Sequence, residues 1–190
     1  MSADLPKSAA GSPPSPRRLA QQLGETAAHT PLWQRARRLG LLPRDQLLAL
    51  AVQRGARHYA GLAAPAVAQS ASAAFSDEEL VVLLLHGRNA FEPFLIRAAA
   101  ELIRRLALDP ARLAFAARRE RCQRALAYLA EAGGRHDTPG AYPWGVLRAA
   151  LCPQRPVPPG LMPHWSRFVA LEGIDRQGRD RGRRWIGAAA

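Results

Sequence analysis

Five histidines and two cysteines are the side chains best suited to hold a metal ion or supply a nucleophile. Ligands of a closed zinc site come in close pairs, cysteines two to four apart or histidines three to five apart, and neither type is paired that way in this sequence. A cysteine nucleophile needs positive charge to stabilise its thiolate, and Cys122 has Arg118, Arg119, Arg121 and Arg124 around it, with His136 further along. Cys122 nevertheless falls on an apolar helical stripe, where cysteine behaves as a small hydrophobe. Asp77, Glu78 and Glu79 form an acidic run that could serve a proton or a cation. They also open a helix, where the macrodipole itself favours negative charge. Phosphate-binding loops of the GxxxxGK[ST] or GxGxxG kind are missing from the sequence, and no strand precedes Gly133-Gly134. No catalytic residue, metal ligand or cofactor is therefore assigned, and the balance favours a protein that is not an enzyme.

Two basic segments point to binding. Thr30 to Tyr59 carries Arg35, Arg37, Arg38, Arg44, Arg54 and Arg57 against Asp45 alone. In spacing it resembles a helix-turn-helix: Ala36 stands four before Gly40 and Leu41 follows it, which implies DNA contact through this element. Two features depart from that pattern, because Pro43 follows so closely that the turn lengthens, and Gln46 occupies a position usually aliphatic. In the tail, Arg181, Arg183, Arg184 and Trp185 interleave guanidinium and aromatic groups, the materials of backbone electrostatics and base stacking. Arg35, Arg38, Arg44, Arg57, Arg181, Arg183, Arg184 and Trp185 are thus the candidate contacts for nucleic acid or an acidic protein. An alternative of another class is a small enzyme or ligand-binding protein with an anion pocket around Trp144, His164, Trp165 and Arg167.

The formal charge of +12 supports an anionic partner, but 26 of the 27 basic residues are arginine, with Lys7 the exception. Arginine, alanine, glycine and proline share GC-rich codons, so part of this excess records genome composition. Its distribution is more informative. Residues 1–60 carry 9 basic and 3 acidic side chains, residues 61–172 carry 13 and 10, and residues 173–190 carry 5 and 2. Charge is concentrated at the two ends of a nearly balanced centre.

The elements that must position these groups are helical. At 190 residues the chain suits one domain plus tails, and an apolar fraction rich in alanine with only 6% aromatic residues favours helix over sheet. The first residues contain an early aspartate and several prolines but no apolar run, unlike a secretory signal. The longest apolar run, Leu80 to Leu85, is far short of the roughly 20 residues a membrane span needs. A cytoplasmic protein without structural disulfides is expected.

Local signals give the sequence of elements. Residues 1–29 are expected to form a mostly disordered Pro- and Ser-rich arm, with one short helix from Pro16 to about Gly24. Thr30 as cap and Pro31 start a helix that stops at Gly40, and Pro43 opens another to about Tyr59. In the Ala-rich residues 61–75, Pro65 marks a helix start. Ser76 with Glu79 forms a capping box before an almost wholly apolar helix that should be central and that Gly87 and Asn89 end. Pro93 starts a helix with Leu95, Ala98, Ala99, Leu102 and Leu106 inside and Arg97, Glu101 and Arg105 outside. Asp109-Pro110 starts one that runs to Gly133-Gly134, and Tyr142-Pro143-Trp144 leads into another ending at Leu151. The Pro-rich wrap 152–163 follows, and His164 to Leu171 docks back on the helices. The expected fold is an all-α irregular bundle of about five to seven helices over residues 30–151, within a domain spanning 30–172 and followed by a flexible basic tail at 173–190.

Overall fold

The computed structural model describes residues 30–62, 69–89, 92–157, 160–171 and 183–185. The arm at residues 1–29, with its expected helix at Pro16, and the candidate contact Arg181 lie outside the described residues. The fold is all-α. Eight α-helices occur among the described residues: α1 Pro31–Arg38, α2 Arg44–Gln53, α3 Gln69–Ala73, α4 Asp77–Leu84, α5 Pro93–Arg105, α6 Pro110–Arg119, α7 Gln123–His136 and α8 Trp144–Ala150. None of the described helices is long and apolar enough to cross a membrane.

Side-chain caps start α1, α4 and α6 where the sequence places them. Thr30 Oγ1 accepts from the Trp33 N–H, and Asp109 accepts from the Arg112 N–H at 2.7 Å. At α4 the capping box is complete, with Ser76 Oγ accepting from the Glu79 N–H and Glu79 Oε2 accepting from the Ser76 N–H, each at 3.1 Å. Ser76→Ala should therefore lower stability by about 1 kcal/mol, seen as a melting temperature about 2–4 °C lower in a chain of this size. An unchanged melting temperature would show that the cap contributes nothing.

One device ends four of the helices. After α1, α2, α5 and α6 the chain turns into the left-handed region, and the following N–H reaches back to a carbonyl one turn inside the helix. The four bonds are Leu41 to Ala36, Ala56 to Ala51, Leu108 to Ile103 and Cys122 to Ala117. Gly40 and Gly55 supply the first two turns, whereas Ala107 and Arg121 carry positive φ without being glycine. Two expectations are corrected here. Gly55 stops α2 well short of Tyr59. Arg121 divides the segment expected to be one helix from Pro110 to Gly133 into α6 and α7.

The core is organised about α4 and α5, which pack on each other; α2 lies against α5 and α6 against α4. Every residue from Leu80 to Leu85 is buried, as is every residue from Ala98 to Ile103. That second run corrects the placing of Glu101 on an outer stripe: a helix enclosed all round has no outer stripe at its middle, and Glu101 is 1% exposed. Arg97 and Arg105 are half-buried.

The carboxy-terminal half closes the bundle with aromatic rings. Helix α7 does not stop at Gly133-Gly134 but continues to His136. Gly133 has a different role, because the Trp144 ring lies on its backbone and a Cβ there would come within 2.4 Å of that ring. Phe168 and Trp144 flank Trp185, each with its centroid 5.5 Å from the Trp185 ring. A two-stranded antiparallel ribbon fixes this arrangement, β1 Val169–Leu171 with β2 Arg183–Trp185, pairing Val169 with Trp185 and Leu171 with Arg183. Residues 183–185 thus belong to the packed domain, contrary to the free basic tail expected for 173–190.

Candidate functional site

The arginines of the α1–α2 segment divide between internal bracing and solvent. Arg35 meets Glu79 Oε2 at 2.5 Å and lies over the Phe75 ring, tying α1 to the first turn of α4. Arg54 pairs with Asp77 and donates to the carbonyls of Ser72 and Phe75 at 2.7 and 2.9 Å, closing the end of α3. Arg44 is exposed, pairs with its neighbour Asp45 and lies over the Phe94 ring of α5. Arg37, Arg38 and Arg57 are exposed. Arg35 turns to α4 while Arg44 turns to α5, so Arg35, Arg38, Arg44 and Arg57 do not gather on one open face.

The helix-turn-helix expectation fails on burial. A recognition helix must keep one side free to enter the major groove. Helix α2 is buried at Leu47, Leu48, Ala49, Leu50 and Ala51, which encloses its middle all round and leaves only its ends, Arg44, Asp45 and Gln53, exposed. Its main neighbour is α5, and that of α1 is α4. In the tail, the backbones of Arg183 and Arg184 pair with β1, and Trp185 is 1% exposed, so its ring is not available to a base.

The alternative anion pocket is also not assembled. Trp144 points into the core, donating from Nε1 to Asp137 Oδ2 at 2.9 Å, while His164 and Arg167 are exposed. Trp165 stacks on His136 with centroids 4.0 Å apart, and His164 tilts against it. Cys122 is buried and Cys152 exposed, and neither is in a disulfide among the described residues. Among the described residues no three His, Cys, Asp or Glu side chains come together to hold a metal ion.

His86, which carried no expectation, anchors the start of α1. Its Nδ1 accepts from the Arg88 N–H at 3.2 Å, which leaves the proton on Nε2 to donate to Thr30 Oγ1 at 3.3 Å. The ring stacks on Trp33. Burial, and secondarily the charge of Arg88, lower its pKa from the ordinary 6.5 to about 4. Folded His86 stays neutral where the unfolded chain binds a proton, so its contribution is whole above pH 6.5 and is lost as pH falls through about 4. Between about pH 7 and pH 4 the protein should lose about 3 kcal/mol more stability than a His86→Gln variant. Urea unfolding at both pH values measures this, and parallel losses would exclude His86 as the source.

Two cavities open on the surface. One of about 620 Å³ lies between α1, the start of α4 and α6, and is lined by the Arg35–Glu79 pair, Phe115 and buried Glu120. The other, of about 790 Å³, lies between α7, α8 and residues 152–157. Arg124 fixes its outer wall by donating to the carbonyls of Arg155 and Pro156 at 3.2 and 2.6 Å. Tyr128 Oη donates to the Pro163 carbonyl at 2.8 Å, securing the chain beyond that wall. Burial raises the pKa of this phenol, which keeps it a donor. Arg148 and Arg155 line the groove, are exposed, and make no side-chain hydrogen bond or ion pair among the described residues. Arg124, Arg148 and Arg155 stand on three separate segments, so no basic run in the sequence announces this groove.

Fold and surface together define an all-α bundle whose acidic side chains are largely drawn into its structure and whose arginines largely face solvent. The chain matches no protein-family model, no curated protein and no solved structure.

Proposed function

We propose that this chain is a non-catalytic helical binding protein whose exposed arginines meet an anionic partner, nucleic acid or an acidic protein surface. One observation carries the proposal, the unequal fate of the two charge types. Asp77 and Glu79 are paired with Arg54 and Arg35, Glu131 holds Arg135, and Asp109 caps α6. Glu101, Glu120 and Asp137 are buried. Arg37, Arg38, Arg57, Arg112, Arg148, Arg155 and Arg167 remain exposed without an ion pair among the described residues. A surface of this kind presents positive potential, which attracts polyanions and releases their counterions on contact.

The test is affinity as a function of salt for a duplex oligonucleotide and for poly-glutamate, read by fluorescence anisotropy. If the proposal holds, at least one of them binds, and affinity falls steeply between about 50 and 200 mM salt, on duplex DNA with a log-log slope of about −0.9 per phosphate neutralised. Binding to neither, or binding indifferent to salt, would overturn it and leave the arginine excess as a trace of genome composition.

A further inference from the structure

Resting on that proposal, we infer that the groove between α7, α8 and residues 152–157 is the docking site, and that its occupant is an acidic peptide segment carrying an apolar side chain. The two free guanidinium groups of Arg148 and Arg155 share the groove lining with the apolar side chains of Ala127, Ala149, Pro153 and Val157. Each guanidinium can hold a carboxylate in a bidentate pair. The groove's one acidic side chain, Glu131, is paired with Arg135 at 2.6 Å. Apolar walls distinguish between polyanions, because a sugar-phosphate backbone has no side chain to bury there, whereas a peptide can place an apolar residue between carboxylates. Shape favours the same choice, since the site is concave and a duplex is convex. The groove is held in place before any partner arrives, because Arg124 clamps two carbonyls of its wall and Arg118 donates to the Ala150 carbonyl at the end of α8. A wall already ordered reduces the entropy lost on binding.

Cys152 provides a local reporter. It lines the groove and is exposed, and the chain's other thiol, Cys122, is buried. The experiment uses the full chain, a fluorescent peptide with phenylalanine flanked by glutamates, the same peptide with lysines for glutamates, and a duplex oligonucleotide. Maleimide labelling of Cys152 is followed alongside anisotropy. The acidic peptide should bind and slow labelling of Cys152, and the lysine peptide should do neither. Arg148→Ala and Arg155→Ala should each weaken binding roughly tenfold, the value of one charge-assisted contact. Both side chains lack protein partners among the described residues, so circular dichroism should be unchanged. Ala149→Glu, which puts a negative charge on an exposed groove position, should abolish binding, while Phe115→Ser, at an exposed position in the other cavity, should leave it unaltered.

Acidic-peptide binding that neither protects Cys152 nor responds to the groove substitutions would overturn this assignment while leaving the anionic-partner proposal standing. If only the duplex bound and protected Cys152, the groove would be a nucleic-acid site and the acidic-peptide assignment would fall. Binding of neither probe would remove both proposals together.

Discussion

Trp185→Ala should destabilise the protein by about 3–5 kcal/mol, the usual effect of truncating a buried aromatic side chain, and lower its melting temperature by roughly 10 °C. The expectation follows from burial. Trp185 is 1% exposed, with Phe168 on one side and Trp144 on the other, and β2 brings it there from a part of the chain that reads as polar and unpatterned. Its indole N–H has no hydrogen-bond partner among the described residues. Trp185→Phe keeps a ring in place and removes that buried donor, so it should change stability far less than Trp185→Ala. A tryptophan held out to stack on bases would behave otherwise, since both variants would then melt like the parent. Deleting residues 174–190 should reproduce the loss seen with Trp185→Ala, because it takes away β2 as well as the ring. Thermal melts of the three variants, followed by circular dichroism, decide between packing and an exposed role.

The starts of α1, α4, α5 and α6 were legible in the sequence because each rests on chemistry confined to a few residues. Thr30, Ser76 and Asp109 cap the helices they were expected to cap, and Pro31, Pro93 and Pro110 occupy first turns. Two helix ends were legible: Gly40 marks the left-handed residue after α1, and α8 closes on Leu151 as read. At Ala107 and Arg121 the same conformation is imposed on residues that do not favour it. What compensates is the burial of the next residue, Leu108 or Cys122, and that depends on the whole bundle. Gly55 did carry its own signal, which the apolar run before it obscured. The site was less legible than the fold. Arg35 and Arg54 read as free basic charge until their partners Glu79 and Asp77 are known, and those acids had a sufficient local role at the start of α4. Arg148 and Arg155 are isolated in the chain and become neighbours only when α8 and the following residues fold against α7.

Glu101 gives the other large effect, because a carboxylate enclosed in the centre of α5 must be matched by donors or it would not be tolerated there. The donors are two consecutive backbone amides beyond α2: Arg57 N–H at 2.7 Å from Oε1, and His58 N–H at 3.2 Å from Oε2 and 3.4 Å from Oε1. They sit where the chain leaves α2 after Gly55, so Glu101 fastens that turn to the side of α5. Glu101→Ala removes the acceptor for both amides and leaves a void between the elements. Each hydrogen bond to a charged group contributes about 1.5–3 kcal/mol, so the variant should lose about 3–5 kcal/mol. Glu101→Gln tests the charge apart from the shape, because its carbonyl can still accept from one amide while its NH2 group faces the other as a second donor. It should fall between the parent and Glu101→Ala. Hydrogen exchange gives the local view, with the Arg57 and His58 amides both losing protection in Glu101→Ala, one of them losing it in Glu101→Gln, and the α4 amides keeping theirs in Glu101→Gln. Parental stability in Glu101→Ala, with both amides still protected, would mean that packing alone holds this turn and that the buried carboxylate contributes nothing to it.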